Sequence, residues 1–296
     1  MTANSPERVQ VCAPAKLNLT LHVGEKRSDG YHDLQSLIVF ANIGDLLSIE
    51  DAPGISLTLQ GLFAKALAAE EDNLVLKAAR ALAARDGIAL RGRLTLTKRL
   101  PVASGIGGGS ADAAAALRGL ALLWGTGNAE PEWAACIGSD VPACLVSRPL
   151  WMEGRGERLT EIGKVPPLHV VLVNPGKAVA THEVFRRLVR RSGVAPVPRA
   201  FGAGRDLLDY MATTHNDLEP VAIELVPEIA VALSALRSRG AAFVRMSGSG
   251  ATCYGIFEDG ARAAAAAKDL AMVWPEWWVV PTCLAPHDAG AAMIVA

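Results

Sequence analysis

The stretch Lys98-Arg99-Leu100-Pro101-Val102-Ala103-Ser104-Gly105-Ile106-Gly107-Gly108-Gly109-Ser110-Ala111 joins a strand pattern to a helix pattern through a run of glycines. Before it, Leu94 and Leu96 alternate with polar residues from Arg93 to Lys98, as on one face of a strand. After it, an alanine- and leucine-rich segment predicts a helix from Ser110 to Trp124, with Ser110 as its cap, Asp112 in its first turn and Gly125 at its end. Glycines let backbone N–H groups converge with no side chain in the way, and a helix N-terminus adds unpaired N–H groups and a positive dipole end. A chain of phosphates needs that combination. The loop is not a Walker A loop, because no Gly-Lys-Ser/Thr follows at the required spacing, and GxGxxG fits it in no register. From the residues alone it is either a phosphate cradle or a flexible strand–helix connector.

Outward from this loop, strands and helices mix without strict βαβ alternation, which predicts an α+β fold with two subdomains. Upstream, Leu17, Leu19 and Leu21 alternate with Asn18, Thr20 and His22 as in a half-buried strand, and further strands fit Leu46 to Glu50 and Ile55 to Leu59. Asp72 and Asn73 precede an apolar helical pattern that runs to Asp86 and stops at Gly87. Downstream, a short helix starts near Pro131 and Gly138 closes it; the turn-rich segment Glu161 to Pro167 then marks a domain boundary. Beyond it the pattern predicts strands at Leu168 to Val173, Ala242 to Met246, Cys253 to Phe257 and Trp278 to Thr282. Helices are predicted at Thr181 to Arg191, Asp217 to Ile223 and Pro227 to Arg239.

Composition narrows the function. With 296 residues, 51% of them hydrophobic, the chain can bury a core of one large or two ordinary domains. A net charge of −1 gives no bulk attraction to nucleic acid or membrane, so a bound polyanion must be held by local geometry. No charge-free apolar stretch reaches the roughly 18 residues a membrane span needs, and Met1 to Gln10 lacks the apolar core of a secretory signal. The five cysteines, Cys12, Cys136, Cys144, Cys253 and Cys283, are odd in number and form no CxxC pair, so they read as buried reduced thiols in a cytoplasmic protein.

Four further segments could carry chemistry. Met246-Ser247-Gly248-Ser249-Gly250-Ala251-Thr252 lies between two apolar strands, either as a plain hairpin turn or as a second loop closing over the first. Lys16 and Asn18 share one face of a strand, where an exposed lysine is the plain explanation. Asp140, in Gly138-Ser139-Asp140-Val141-Pro142, could cap a short helix or accept a proton from an attacking hydroxyl. Tyr31 and His32, after the turn Ser28-Asp29-Gly30, could read a nucleobase or anchor a loop. The tryptophans 274, 277 and 278 read as packing.

In order and spacing these pieces resemble the GHMP kinase family. Three blocks carry the resemblance: APAKLNLTLHVGEKRSDGYHDLQS (13–36), KRLPVASGIGGGSADAA (98–114) and MSGSGATCYGIF (246–257). The segments 71–74, 138–142 and 181–185 fit as well, so the likeness spans nearly the whole chain. The second block alone fits the family at large. PAKLNL together with DGYH is similar to the branch whose acceptor is 4-diphosphocytidyl-2-C-methyl-D-erythritol, an intermediate of non-mevalonate isoprenoid synthesis. The resemblance implies a two-domain α+β architecture, S5-like over 1–162 and ferredoxin-like over 163–296, with the site between them. It implies ATP and Mg²⁺, the phosphates wrapped by Pro101, Val102, Ala103, Ser104, Gly105, Ile106, Gly107, Gly108, Gly109, Ser110 and Ala111, with Ser110 as a metal ligand. Asn73 and Lys98 match positions near the adenine. Lys16 and Asp140 match the catalytic pair. Tyr31, His32 and Phe185 match positions around the cytosine, and Asn18 and Thr181 match neighbours of the substrate. The implied partner is this small molecule, bound by a monomer or weak homodimer. A kinase for homoserine or a mevalonate derivative, or a catalytically silent nucleotide sensor, are the alternatives. The chain departs from the family pattern in the first half of the loop, Val102-Ala103-Ser104-Gly105, where more glycine is usual, at Asp112 where asparagine is frequent, and at Ala13 for a common serine.

Overall fold

In the computed structural model, which describes residues 7–67, 73–189, 196–198, 200–284, 290 and 292–294, the first strand (β1, Arg8–Asn18) and the turn after it are covered on both sides. The alternation from Leu17 to His22 predicts one wet face, yet all six side chains are buried. The polar ones survive there because they have partners. Asn18 Nδ2 donates to Ser36 Oγ at 2.7 Å, and Thr20 Oγ1 accepts the Leu37 N–H at 3.0 Å. Their neighbour is β3 (His32–Glu50), a 19-residue spine. It pairs antiparallel with β1, with β2 (His22–Lys26), with β5 (Gly92–Thr97) and with β6 (Leu150–Gly154). β4 (Ile55–Gln60) runs parallel to β5, and β7 (Arg158–Glu161) pairs with β6.

Helices cover one face of this half. After the short α1 (Ala64–Leu67), α2 (Leu74–Asp86) starts where Asn73 Oδ1 accepts the Val75 N–H at 2.9 Å and stops where Gly87 turns left-handed at φ 65°. Asp72, the other expected cap residue, lies outside the described residues. α3 spans Gly108–Trp124, two residues longer than the predicted helix. Gly107, at φ 64°, is its cap, and no side chain caps it; Ser110 falls within its first turn. The alanines 113–116 are fully buried because α3 lies directly on the sheet: a Cβ on Gly119 would come within 2.6 Å of Ile49 Cδ1 and 2.9 Å of Val11 Cγ2. α4 (Pro131–Ala134) and α5 (Val141–Val146) complete the layer.

The connection from β7 to β8 (Leu168–Asn174) holds position 162/163. The second half orders its strands β11-β8-β10-β9, with β9 (Phe243–Met246), β10 (Cys253–Phe257) and β11 (Trp278–Leu284). α6 (Thr181–Arg187), α7 (Gly204–Ala212), α8 (Glu219–Leu225), α9 (Glu228–Ser238) and α10 (Gly260–Val273) accompany them. α6 stops four residues short of the expected Arg191, which lies outside the described residues. α7, β6 and β7 have no counterpart in the sequence reading. Leu284 pairs with Ala41 of β3, and β12 (Ala292–Ile294) returns to pair with β1, so one sheet runs through both halves. A third core seals the join: Leu17, Leu37 and Val39 from one side meet Leu172, Tyr254 and Ile256 from the other, with Leu207 and Met211 of α7. Each such side chain contributes about 1.5–3 kcal/mol when fully buried.

Trp274 and Trp277 stack at 4.4 Å, as packing residues do. All five cysteines are free thiols. Cys144 and Cys253 are buried as expected, but Cys12 and Cys283 are half-buried and Cys136 is exposed, since it sits in the turn after α4 rather than under a sheet. Among the described residues, no helix is long and apolar enough to cross a membrane.

Candidate active site

Two glycine loops stand back to back at the junction of the halves. Ser247 Oγ donates to Gly105 O at 3.0 Å, and the Thr252 N–H donates to Ser104 O at 3.1 Å. The contact leaves no room for a side chain. A Cβ on Gly248 would lie 2.6 Å from Gly105 O, and one on Gly105 would meet Ser247 O and lie 2.7 Å from Gly250 N. Both glycines also have positive φ, +76° at Gly105 and +56° at Gly248, where a side chain is strained anyway. The second loop is therefore more than a hairpin turn: it buttresses the first. Asn216 fixes it from behind, its Nδ2 donating to Met246 O at 2.9 Å and Gly248 O at 2.8 Å.

In front of the loops opens a cavity of about 330 Å³. Ala103, Ser104, Gly105, Gly107, Gly108, Gly109 and Ser110 form one wall. The N-terminus of the 17-residue α3 thus faces the cavity with no side chain capping it, which suits an anion. Pro101, Ile106 and Ala111 are buried beneath the loop, and Val102 packs against the first core.

Lys16 and Asp140 meet across this cavity. The ammonium lies 2.8 Å from Asp140 Oδ2, although the residues are 124 apart in sequence. Two local features make the meeting possible. The β1–β3 register shifts between Pro14 and Lys16, which re-aims the strand as bulges do. Its Lys16 N–H then donates to Ile106 O at 2.9 Å instead of to the sheet. The lysine is not the exposed one that the strand pattern suggests; it is 4% exposed, its stem lying against Gly107. Asp140 stands at the cap position of α5 but makes no capping bond, so its carboxylate is committed to Lys16.

The remaining predicted positions divide. Asn18 lines the cavity, and its Oδ1 is buried with no partner among the described residues. Thr181 lines it too and shares a 2.8 Å hydrogen bond with Ser249. Phe185 lines it, with the His32 ring edge-on at 5.6 Å. Tyr31 is 57% exposed and lies instead on an adjoining cavity of about 270 Å³. Asn73 and Lys98 are absent from both walls and have other tasks. Asn73 caps α2. Lys98 is 2% exposed, bonded to Asp45 and, at 2.7 Å, to Asp112 Oδ2. Asp112 thus turns inward rather than toward the helix dipole. Burial, chiefly, raises its pKa to about 8, against the pull of Lys98. Asp45 also accepts the Arg99 and Leu100 N–H groups, so this buried triad sets the level of the glycine loop from below.

Several residues at the site escaped the sequence reading. Ser139 and Arg155 line both cavities. Arg245, buried, donates to Leu19 O at 2.6 Å, Met211 O at 2.9 Å and Thr214 O at 2.5 Å, tying β9 to the turn after β1.

The chain is similar to known proteins along most of its length. The GHMP kinases N terminal domain model matches residues 73–148, and the GHMP kinases C terminal model matches residues 199–276. The 4-diphosphocytidyl-2-C-methyl-D-erythritol kinase of Paracoccus denitrificans is 51% identical over 277 residues, which is 93% of this chain and 96% of that protein. The protein of the same name from Ruegeria pomeroyi is 50% identical over 275 residues, 91% of this chain and 97% of its own. A crystal structure of 4-(cytidine 5'-diphospho)-2C-methyl-D-erythritol kinase superposes with a TM-score of 0.76 at 33% identity, covering 94% of this chain and 99% of that one.

Proposed function

The chain belongs to the GHMP kinase family, and from that premise we propose that it transfers the γ-phosphoryl group of ATP to the 2-hydroxyl of 4-diphosphocytidyl-2-C-methyl-D-erythritol. The products are ADP and the acceptor's 2-phosphate. The observation that carries this reading is the Lys16–Asp140 pair, 2.8 Å apart beside a glycine-walled helix N-terminus. Phosphoryl transfer needs alignment and charge neutralisation more than covalent chemistry. The backbone N–H groups from Gly107 to Ser110 bind the phosphates and orient the chain. Asp140 takes the proton of the 2-hydroxyl as its oxygen bonds to the γ-phosphorus and the bond to the ADP oxygen breaks. Lys16 holds positive charge beside the developing alkoxide. Asn18, through its unpartnered Oδ1, accepts a hydrogen bond from a hydroxyl of the acceptor, and Thr181 flanks it.

Ser110 lines the same cavity on the first turn of α3, and its hydroxyl oxygen would suit Mg²⁺ there. When bound with ATP, that ion supplies neutralisation of the phosphate oxygens. Phe185 gives the cavity wall a ring surface for cytosine, with His32 packed edge-on behind it, which homoserine and mevalonate would not use. Five free thiols suit a reducing cytoplasm.

The test is Asp140→Asn. The kcat falls by about 10²–10⁴-fold, as for loss of a positioned base. The ATP dissociation constant, read by calorimetry, stays within about twofold because the phosphate wall is backbone. An unchanged kcat removes Asp140 from this role.

A further inference from the structure

The main cavity and the adjoining one share a wall built from Ser139 and Arg155. Arg155 sits between two glycines in the turn from β6 to β7. Its guanidinium lies 5.4 Å from the centre of the Tyr31 ring and 3.7 Å from Asp29 Oδ2, beyond hydrogen-bond distance. Asp29 is itself engaged elsewhere, its Oδ1 accepting the Tyr31 N–H at 3.1 Å and its Oδ2 lying 3.4 Å from Arg27. Lys16 and Arg155 are the two cationic side chains on the main cavity wall among the described residues, and the Lys16 ammonium is held by Asp140.

We propose that Arg155 is the anchor for the acceptor's diphosphate, gripping it where the two cavities meet. The inference rests on the function proposed above. An acceptor with its hydroxyl at Asp140 and its base near Phe185 must carry a doubly charged linker between them. A guanidinium presents paired N–H donors that match phosphate oxygens. Its side chain is 44% exposed, so it can swing off the Tyr31 face without breaking a buried contact. Tyr31 then becomes free to close on the base, which accounts for its open position on the second cavity. The Arg155 N–H donates to Glu157 Oε2 at 2.5 Å, which keeps the turn in shape while the side chain moves.

Arg155→Met, which keeps length and removes charge, raises the acceptor KM about 10- to 100-fold and leaves the ATP KM within about twofold. Inhibition by CDP weakens by the same factor in that variant, while inhibition by cytidine, which has no phosphate, does not. Arg155→Lys recovers part of the loss. An unchanged acceptor KM overturns the proposal, and so does equal weakening of CDP and cytidine, which would assign Arg155 to the ring. Failure of the wild type to phosphorylate the diphosphocytidyl acceptor is a separate result: it overturns the function on which the proposal rests.

Discussion

A single residue departure reveals how the glycine loop is supported. Asp112, an aspartate at a position where asparagine is expected, is buried beside Lys98 and Asp45. Its folded pKa, about 8, lies above its ordinary value of 3.8, so the folded state binds a proton that the unfolded state releases. The resulting stability is complete below about pH 4 and is lost as pH rises through about 8. Wild-type melting temperature therefore drops between pH 6.5 and pH 9, and Asp112→Asn flattens that drop, since an amide keeps the Lys98 bond with no proton to lose. A variant that melts with the wild-type pH slope contradicts this. The inward turn of Lys98 went unread, although the strand pattern carried it. Leu94, Leu96 and Lys98 share one parity, and the two leucines are buried. The Lys16–Asp140 contact was not legible from spacing, because 124 residues separate them and only the fold closes the gap.

At the level of elements, the strand–loop–helix unit needs its glycines for two different reasons. Gly107 supplies the left-handed cap of α3, and Gly105 supplies a surface without Cβ against the 247–250 loop. Gly105→Ala pays a left-handed penalty of about 1–2 kcal/mol and collides with the second loop, so ATP affinity falls roughly tenfold or more. Calorimetry with ATP checks this, and an undiminished affinity means the loops are not interlocked. Strong punctuation made the central elements readable: Asn73 and Gly87 bound α2 closely, and Gly125 ends α3. The start of α3 was misplaced because Ser110 is a good cap residue, but Gly107 reaches the left-handed cap conformation first. β6 and β7 went unread because their alternation is brief and Gly154-Arg155-Gly156 looks like an ordinary turn.

Across the whole molecule, the site depends on holding two halves in register. Arg245 does much of this through its three carbonyl bonds to Leu19, Met211 and Thr214. Asp217 adds a 2.7 Å bond from the Val23 N–H, and Leu21 and Asn216 form a bridge between the halves. Arg245→Met takes a charged donor from all three carbonyls, leaving Leu19 O with the Tyr254 hydroxyl and Met211 O with Thr214, and destabilises the fold by about 3 kcal/mol in urea unfolding. A loss under about 0.5 kcal/mol would mean the join rests on apolar packing alone. None of this join could be read from local pattern, since its partners come from segments about 200 residues apart in sequence (Leu19 with Arg245 is 226). The mixed, non-alternating α+β pattern and the glycine blocks nonetheless sufficed to indicate the architecture. The most direct measurement is ADP release with ATP and Mg²⁺, offering diphosphocytidyl-methylerythritol, homoserine and mevalonate in parallel. Turnover with the first acceptor alone is the expected result; turnover with either of the others instead, or with none, contradicts it.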